Sequence, residues 1–224
     1  MRMFKILFVI TCLPICNYSC KNDIIVSEIN DYNYFPVNKG HYVIYQVDSI
    51  VYNDFTNTVD TFLYEIKEYI ESDIIDNSGR TVQRLEKYKR NCDTLPWKLN
   101  NVWTCLRTTY TAEKVEENVR YLKLIFPIQK DKKWNGNAYN IFDEQTYKYI
   151  DVHKPYYNKY LYFDSTITVL QKDFNTLISN DYAIEIYATG VGLVYKKFVQ
   201  IEKEITGVIK KGVDYTMTAK QYGN

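Results

Sequence analysis

The feature that most constrains the fold is a long series of short runs in which apolar and polar residues alternate. Runs rich in Val, Ile and Tyr recur from His41 onward, as in HYVIYQVDSIVY (41–52) and TFLYEIKEYI (61–70). Alternation with a period of two is typical of β-strands with one buried face. About ten such runs joined by short turns favour an antiparallel meander, because parallel strands need long crossover connections.

A meander of this length must hide its edge strands, so it has to curl, close on itself or split into two packed sheets. We therefore expect an all-β fold in which an antiparallel meander forms a curved sheet, a barrel, a half-barrel or a sandwich. Long helices should be few or absent. EKVEENV (113–119) and KDFNTLISN (172–180) could each form a short helical turn.

Glycine and proline positions predict where the strands end. The segment from Asp181 to Glu204 should form a β-hairpin that turns near Gly190, since glycine tolerates a positive φ. Lys211-Gly212 should turn into the last strand. Pro127 should end or bend the strand before it, because proline cannot donate to a ladder. The Asn-Gly pair within WNGNAYN (134–140) predicts a loop.

The chain start carries a targeting pattern. Residues 1–5 hold two positive charges and residues 6–15 are almost wholly apolar, which is typical of a secretory signal. The apolar run is shorter than the roughly 20 residues that a permanent membrane helix needs. Three evenly spaced cysteines follow: Cys12, Cys16 and Cys20. Ser19 is the small residue expected before a lipidated cysteine, which favours Cys20; Cys16, or cleavage without lipid, are the alternatives.

This interpretation divides the chain into three parts. Residues 1–19 form the signal peptide, 20–35 the lipid anchor with a polar tether, and 36–224 a single β-rich domain. Cleavage before Cys20 would leave 224 − 19 = 205 residues, which suits one domain. The net charge of +1 indicates no nucleic-acid partner.

A search for chemistry in the sequence assigns no catalytic residue, no metal site and no cofactor. Beyond the signal, the chain has two histidines, His41 and His153, and no HExxH or CxxC spacing. The sequence therefore leans against an enzyme. The adjacent carboxylates Glu116-Glu117 and Asp143-Glu144 are interpreted as solvated charges, because neighbours on a strand point to opposite faces.

Aromatic residues offer the candidate ligand contacts. The 23 tyrosines suit half-buried strands and an AT-rich genome, although they could also build a binding platform. Trp97 and Trp134 lie in loop-like stretches and are candidate contacts for a ligand. Trp103 lies in a strand-like run and is expected in the core.

Cys92 and Cys105 are the remaining cysteines. An exported chain enters a compartment where disulfides persist, and closing a loop of about 14 residues would stabilise the fold by roughly 3 kcal/mol. We expect a Cys92–Cys105 bridge, with two free thiols as the alternative.

Several motifs resemble a group of uncharacterised lipoproteins of the Bacteroidetes. They are the Tyr34-Phe35-Pro36 to Gly40-His41-Tyr42 segment, KLIFPIQKDKKWNGNAYN, and EIYATGVGLVYKKF. Lys21-Asn22-Asp23 also resembles the segment behind the lipidated cysteine of their surface-exposed members. The resemblance implies a lipid-anchored protein of the cell envelope, located at the outer membrane, and carries no activity with it.

The same resemblance implies O-glycosylation at Asp-Ser/Thr sequons. Three candidate acceptors match: Ser49, Thr94 and Ser165. Thr94 lies in a predicted loop, whereas the other two fall in strand-like runs.

Three functional classes follow. The first is a membrane-tethered binding module for a hydrophobic or glycan ligand, and the second is an accessory or assembly protein that docks onto another envelope component. The third, an enzyme, has the least support. The expected partners are therefore the membrane, through the N-terminal lipid, and either a glycan or lipid ligand or an envelope protein.

We predict that Cys20 carries the lipid. Cys20→Ala should release the protein from membranes, because no other group would anchor it; membrane fractionation and intact mass measure this. Cys16→Ala, the matched control, should leave lipidation unchanged. A Cys20→Ala variant that stays membrane-bound and lipid-labelled would contradict the assignment.

Overall fold

The computed structural model describes residues 30–224, which form one short 3-10 helix (Asp31–Tyr34) and twelve β-strands. The signal peptide, Cys20 and most of the tether lie outside the described residues. The strands are β1 Tyr42–Asn53, β2 Thr58–Ile75, β3 Thr81–Arg90, β4 Lys98–Arg107, β5 Thr111–Glu116, β6 Val119–Ile125, β7 Lys133–Asn135, β8 Thr146–Tyr157, β9 Tyr162–Asn175, β10 Ser179–Ala188, β11 Gly192–Lys203 and β12 Ile209–Gly223.

All twelve strands belong to one antiparallel sheet, in the order β6-β5-β4-β3-β2-β1-β12-β11-β10-β9-β8-β7. Sequence neighbours are therefore sheet neighbours within two halves, β1 to β6 and β7 to β12. The pairing of β1 with β12, in which Tyr42 opposes Gly223, joins the halves at the centre of the sheet. The predicted all-β meander is confirmed.

The sheet curls into a nearly closed barrel, because its two end strands approach each other. The backbone N–H of Leu122 in β6 donates to the carbonyl of Gly136, next to β7, at 2.9 Å. The Tyr149 hydroxyl of β8 donates to the Ile125 carbonyl (2.9 Å) and accepts from the Ile125 N–H (3.0 Å). Side-chain and loop contacts thus cover edges that would otherwise expose unpaired backbone groups.

The segment before β1 closes one end of this barrel. Tyr34 is fully buried, and its hydroxyl lies 2.7 Å from both His153 Nδ1 and Ser165 Oγ. Arg107 fixes the segment by donating to the carbonyls of Tyr32 and Phe35, at 2.7 and 2.9 Å. The ordered domain therefore begins before residue 36, and residues 31–35 are part of its core instead of the predicted tether.

The hairpin predicted between Asp181 and Glu204 is confirmed. Strands β10 and β11 are antiparallel neighbours, with Tyr182 opposite Val199. Gly190 and Gly192 have φ values of 76° and 87°, and a Cβ on Gly192 would press against the Pro36 ring at 3.3 Å. Pro127 follows the end of β6, as predicted.

Other local predictions are wrong. Residues 113–119 and 172–180 are not helical: each range holds the end of one strand, a short turn and the start of the next strand, in hairpins β5–β6 and β9–β10. Lys211-Gly212 lies inside β12, and the turn is earlier, where the Gly207 N–H donates to the Glu204 carbonyl.

No helix among residues 30–224 is long and apolar enough to span a membrane.

The predicted Cys92–Cys105 disulfide is also wrong, since both thiols are free. Cys105 lies opposite Gln83 in the β3–β4 ladder, and Cys92 follows β3, 92 − 83 = 9 residues further along the chain. At about 3.3 Å per strand residue, the two positions are far beyond bridging distance. The segment between them continues into β4 and does not return as a closed loop.

Gly212 yields a prediction about stability. Its φ is 139°, and an added Cβ would overlap the backbone of Gln200 in the neighbouring strand. We expect Gly212→Ala to lower the free energy of unfolding by about 3 kcal/mol, through overpacking and backbone strain. Urea unfolding measures the loss.

Gly207→Ala is the matched control, because its φ of 90° is strained but no atom lies within 4 Å of an added Cβ. It should cost about 1 kcal/mol. Equal losses for the two variants would show that the close strand approach at Gly212 does not contribute.

Candidate functional site

The interior of the barrel contains a cluster of charged side chains. Six strands, β2, β3, β5, β6, β10 and β11, each place at least one charged residue on the inner face. We call the set the interior charge cluster: Glu68, Lys87, Lys114, Glu116, Lys123, Glu185 and Lys196. Buried charges are costly unless they are paired, so such a set either stabilises a unique arrangement or serves a function.

Ion pairs link these residues across the interior. Lys123 Nζ lies 2.8 Å from Glu185 Oε1 and 3.6 Å from Glu116 Oε1. Lys196 Nζ approaches the same Glu185 oxygen at 3.3 Å. Lys114 Nζ lies 2.9 Å from both Glu68 oxygens and 3.8 Å from Glu116. Each carboxylate is thus held by at least one lysine.

The pairing determines the protonation of the cluster. Burial alone would raise the pKa of Glu185, but Lys123 and Lys196 lower it to about 2. Burial would likewise raise the pKa of Glu116, and the surrounding lysines instead lower it well below the usual range. Burial would lower the pKa of Lys123, yet Glu116 and Glu185 raise it. Glu116, Glu185 and Lys123 therefore remain charged at neutral pH.

Lys87 differs from the other three lysines. It forms no ion pair or hydrogen bond with any residue in the described range, and its Nζ lies 4.2 Å from the centre of the Trp103 ring. Burial is the largest influence and lowers its pKa; Lys114 and Lys196 act in the same direction, and the charges of Glu68 and Glu116 oppose them. Lys87 is therefore an ammonium group with three donors that lack a protein acceptor.

Two cavities adjoin the cluster. The first, which we call the tryptophan cavity, has a volume of about 350 Å³, and its wall includes Lys87, Trp103, Tyr64 and Tyr215. The second, which we call the wide cavity, has a volume of about 870 Å³. Glu116, Lys196 and Phe198 line both cavities, so the two are adjacent.

The structure places the three tryptophans in different surroundings. Trp134 is buried, donates to the Leu122 carbonyl at 3.0 Å and packs 4.6 Å from the Tyr149 ring centre, so it cannot contact a ligand. Trp97 is half-buried, with the Arg90 guanidinium 4.2 Å from its ring centre, and lines neither cavity. Trp103 packs against the core, as expected, but is only partly buried there and also lines the tryptophan cavity.

The three candidate glycosylation sites differ in how accessible their hydroxyl groups are. Ser49 is buried in β1, and Ser165 is held by the Tyr34 hydroxyl at 2.7 Å, so neither is free to accept a glycan in the folded protein. Thr94 is exposed in the loop after β3 and remains a predicted acceptor. Cys20 lies outside the described residues.

The sequence prediction missed the interior charge cluster. Glu116 was interpreted as a solvated charge, but its side chain is 19% exposed and lies between lysines; Asp143 and Glu144 are exposed, as expected. The alternation of residues along the strands contains a signal that could have predicted the cluster. Glu68 continues the apolar face of Tyr64 and Ile66, and a charge at such a position indicates an interior partner.

Comparison with known proteins gives no family. No protein-family model matches the chain, and no curated protein matches it. Among solved structures, a Bacteroides fragilis protein with a YmcC-like fold, provisionally described as exported, is similar at 7% identity and a TM-score of 0.47. A Parabacteroides distasonis protein, provisionally described as a lipoprotein, is similar at 10% identity and a TM-score of 0.39. Each match covers 85% of this chain and 98% of the other. Likenesses this distant transfer no function.

Among residues 30–224, no group of three or more His, Cys, Asp or Glu side chains is placed to hold a metal ion. The interior acidic groups face lysines instead, and the lysines occupy the positions that a cation would take. What the arrangement offers chemically is an aromatic wall beside fixed charges, which suits the binding of a small molecule.

Glu185 provides a test of the cluster. Glu185→Gln removes the carboxylate that Lys123 and Lys196 share, which leaves buried ammonium groups without full compensation. We expect the free energy of unfolding at pH 7 to fall by about 3 kcal/mol, measured by urea unfolding. The pKa of Glu185 is about 2 in the folded protein and near 4.3 in the unfolded chain. Its contribution to the free energy of unfolding is therefore complete above about pH 4.3.

The difference between wild type and Glu185→Gln should therefore shrink as the pH falls from about 4.3 through about 2. Glu202→Gln is the matched control: Glu202 pairs with Lys211 at 3.1 Å, but the two side chains are 59% and 54% exposed. This control should change stability by less than about 0.5 kcal/mol. Similar losses for both variants would show that the interior pairs are no stronger than surface pairs.

Proposed function

We propose that this protein is an exported, lipid-anchored binding module of the cell envelope, whose barrel interior receives a small ligand of hydrophobic or glycan type. The observation that carries the proposal is the pair of adjacent cavities beside the interior charge cluster. Ligand sites commonly combine apolar and aromatic walls with a few fixed polar groups, and this interior has both.

The aromatic side chains of the wall support the ligand class. Tyr64, Trp103, Phe198 and Tyr215 face the tryptophan cavity. Aromatic faces pack well against apolar bodies and against the flat faces of sugar rings, because both present C–H surface to the ring. The neighbouring charges would orient the polar part of a ligand.

The position of the chain start supports an anchored module. Residues 31–35 pack against the closed end of the barrel, so the preceding tether leaves from that end. Strand β1 begins there and runs toward the opposite end, where the β1–β2 hairpin turns at 97%-exposed Phe55. Anchoring through residue 20 would hold the closed end nearest the membrane. The outer membrane is the proposed location, and the domain from residue 31 onward is proposed as a single unit.

A second candidate function rests on the hairpin tips. Exposed apolar residues occur at the turns β1–β2, β9–β10 and β11–β12, all at the end away from the chain start: Phe55, Leu177, Ile178, Ile205 and Val208. Such residues suit contact with another envelope protein. This accessory role requires no ligand in the interior.

Binding of N-phenyl-1-naphthylamine, a neutral apolar probe, and of maltohexaose, a neutral glycan, tests the proposal by fluorescence and by calorimetry. We expect saturable binding of at least one of them. Ala183→Trp should weaken that binding at least tenfold, because Ala183 lines the wide cavity and the larger ring would fill it. Val208→Trp, at an exposed tip, is the matched control and should leave the affinity unchanged.

Failure of both probes to bind wild-type protein would refute the binding module and favour the accessory role. Binding that Ala183→Trp leaves intact, in a protein with an unchanged melting temperature, would exclude the wide cavity and restrict the proposed site to the tryptophan cavity, which Ala183 does not line.

A further inference from the structure

We infer that the tryptophan cavity selects an organic anion, with Lys87 receiving the carboxylate, sulfonate or phosphate group and the aromatic wall receiving the ligand body. This inference rests on the proposed binding function and adds the charge of the ligand to it. It follows from the arrangement of charges inside the barrel.

The charges of the interior cluster do not balance. Four lysines face three glutamates, so 4 − 3 = 1 positive charge remains within the cluster. The three carboxylates are already engaged by Lys114, Lys123 and Lys196. Lys87 is the lysine of the cluster that has no ion pair with a described residue, and the charges of Glu68 and Glu116 attract it only at longer range.

The Trp103 ring compensates Lys87 only in part. A ring at 4.2 Å attracts the ammonium through its quadrupole, but it accepts none of the hydrogen bonds that the three N–H groups can donate. The Trp103 indole N–H is itself directed to Glu117 Oε1 at 3.1 Å, so this contact holds the ring in place. The cation is thus positioned on the cavity wall and is left with unused donors.

The residues around Lys87 define the rest of the ligand. Tyr64, Phe198 and Tyr215 surround the cavity, and Met217 and Leu193 add apolar surface. An anion without an apolar body would leave this wall in water, whereas an apolar molecule without a charge would leave Lys87 unpaired. An amphipathic anion satisfies both. Besides Lys87, the same wall carries two lysines and two carboxylates (Lys114, Lys196, Glu68 and Glu116), so its lysines outnumber its carboxylates by one.

Two probes with the same aromatic body separate charge from burial. 8-Anilinonaphthalene-1-sulfonate carries one sulfonate, and N-phenyl-1-naphthylamine lacks it. Lys87→Met removes the ammonium and keeps a side chain of similar length. We expect this change to weaken binding of the sulfonate probe about tenfold, as for the loss of a charge-assisted hydrogen bond, and to leave the affinity for the neutral probe unchanged.

Two further variants serve as controls. Lys87→Arg keeps the positive charge and should retain most of the affinity for the sulfonate probe. Lys211→Met removes one positive charge from an exposed pair outside the cavity and should have no effect on either probe. Thermal melting shows whether each variant is folded.

Each outcome decides between the hypotheses. If both probes bind and Lys87→Met changes neither affinity, the anion site is refuted and the binding module stands. If Lys211→Met weakens sulfonate binding as much as Lys87→Met, the attraction is a general charge effect and the site is refuted. If neither probe binds wild-type protein, the inference falls; binding of maltohexaose would then still support the module. If Lys87→Met does not fold, Lys87→Ala replaces it. Weaker binding of the sulfonate probe by Lys87→Ala supports the anion site, and unchanged binding refutes it.

Discussion

The ion pair between Lys123 and Glu185 is the interaction on which the interior depends. Its two members belong to strands β6 and β10, which lie in opposite halves of the sheet order, so the pair joins the halves across the barrel. A slip of one residue in either strand would turn one charge outward and leave the other buried alone. The pair therefore favours a single register in both halves of the sheet.

Interior charges also explain why the barrel is not filled. A core of apolar side chains would pack to the density of an organic crystal and leave little space. Charged side chains need partners at fixed distances. If the aromatic residues between them moved inward to fill the space, the ammonium groups would lose their carboxylate partners. The cavities beside Glu116 and Lys196 result from this conflict. A stable framework and an open interior thus have the same origin.

The sequence predicts the class of fold but not the inward face of each strand. Period-two alternation in 181–188 predicts a strand with two faces. Ile184 and Ile186 lie on one face, which their apolar side chains favour as the inner one, and Ala183, Glu185 and Tyr187 lie on the opposite face. The structure buries Glu185 completely: Lys196 meets it from the hairpin partner β11, and Lys123 meets it from β6, which only the folded sheet brings near. Tertiary partners decide this point.

The same limit explains the tryptophans. Trp134 follows a lysine-rich stretch and precedes Asn-Gly, so the sequence indicates a loop, but a three-residue strand and the Leu122 carbonyl hold it inside. Trp103 lies in a strand, as its neighbours predict, and Lys87 and Lys114 of the two adjacent strands approach its ring. Both outcomes depend on how the sheet curls, which no local pattern encodes.

The pairing of β1 with β12 has a consequence for the order of folding. Each half of the sheet contains hairpins between sequence neighbours, which form with little loss of chain entropy. The central ladder is different, because Tyr42 must find Gly223 after almost the whole domain has emerged. Until the fifteen residues of β12 arrive, the first strand keeps an open edge and the barrel cannot close. A chain of this design therefore reaches its compact state only after β12 has been synthesised.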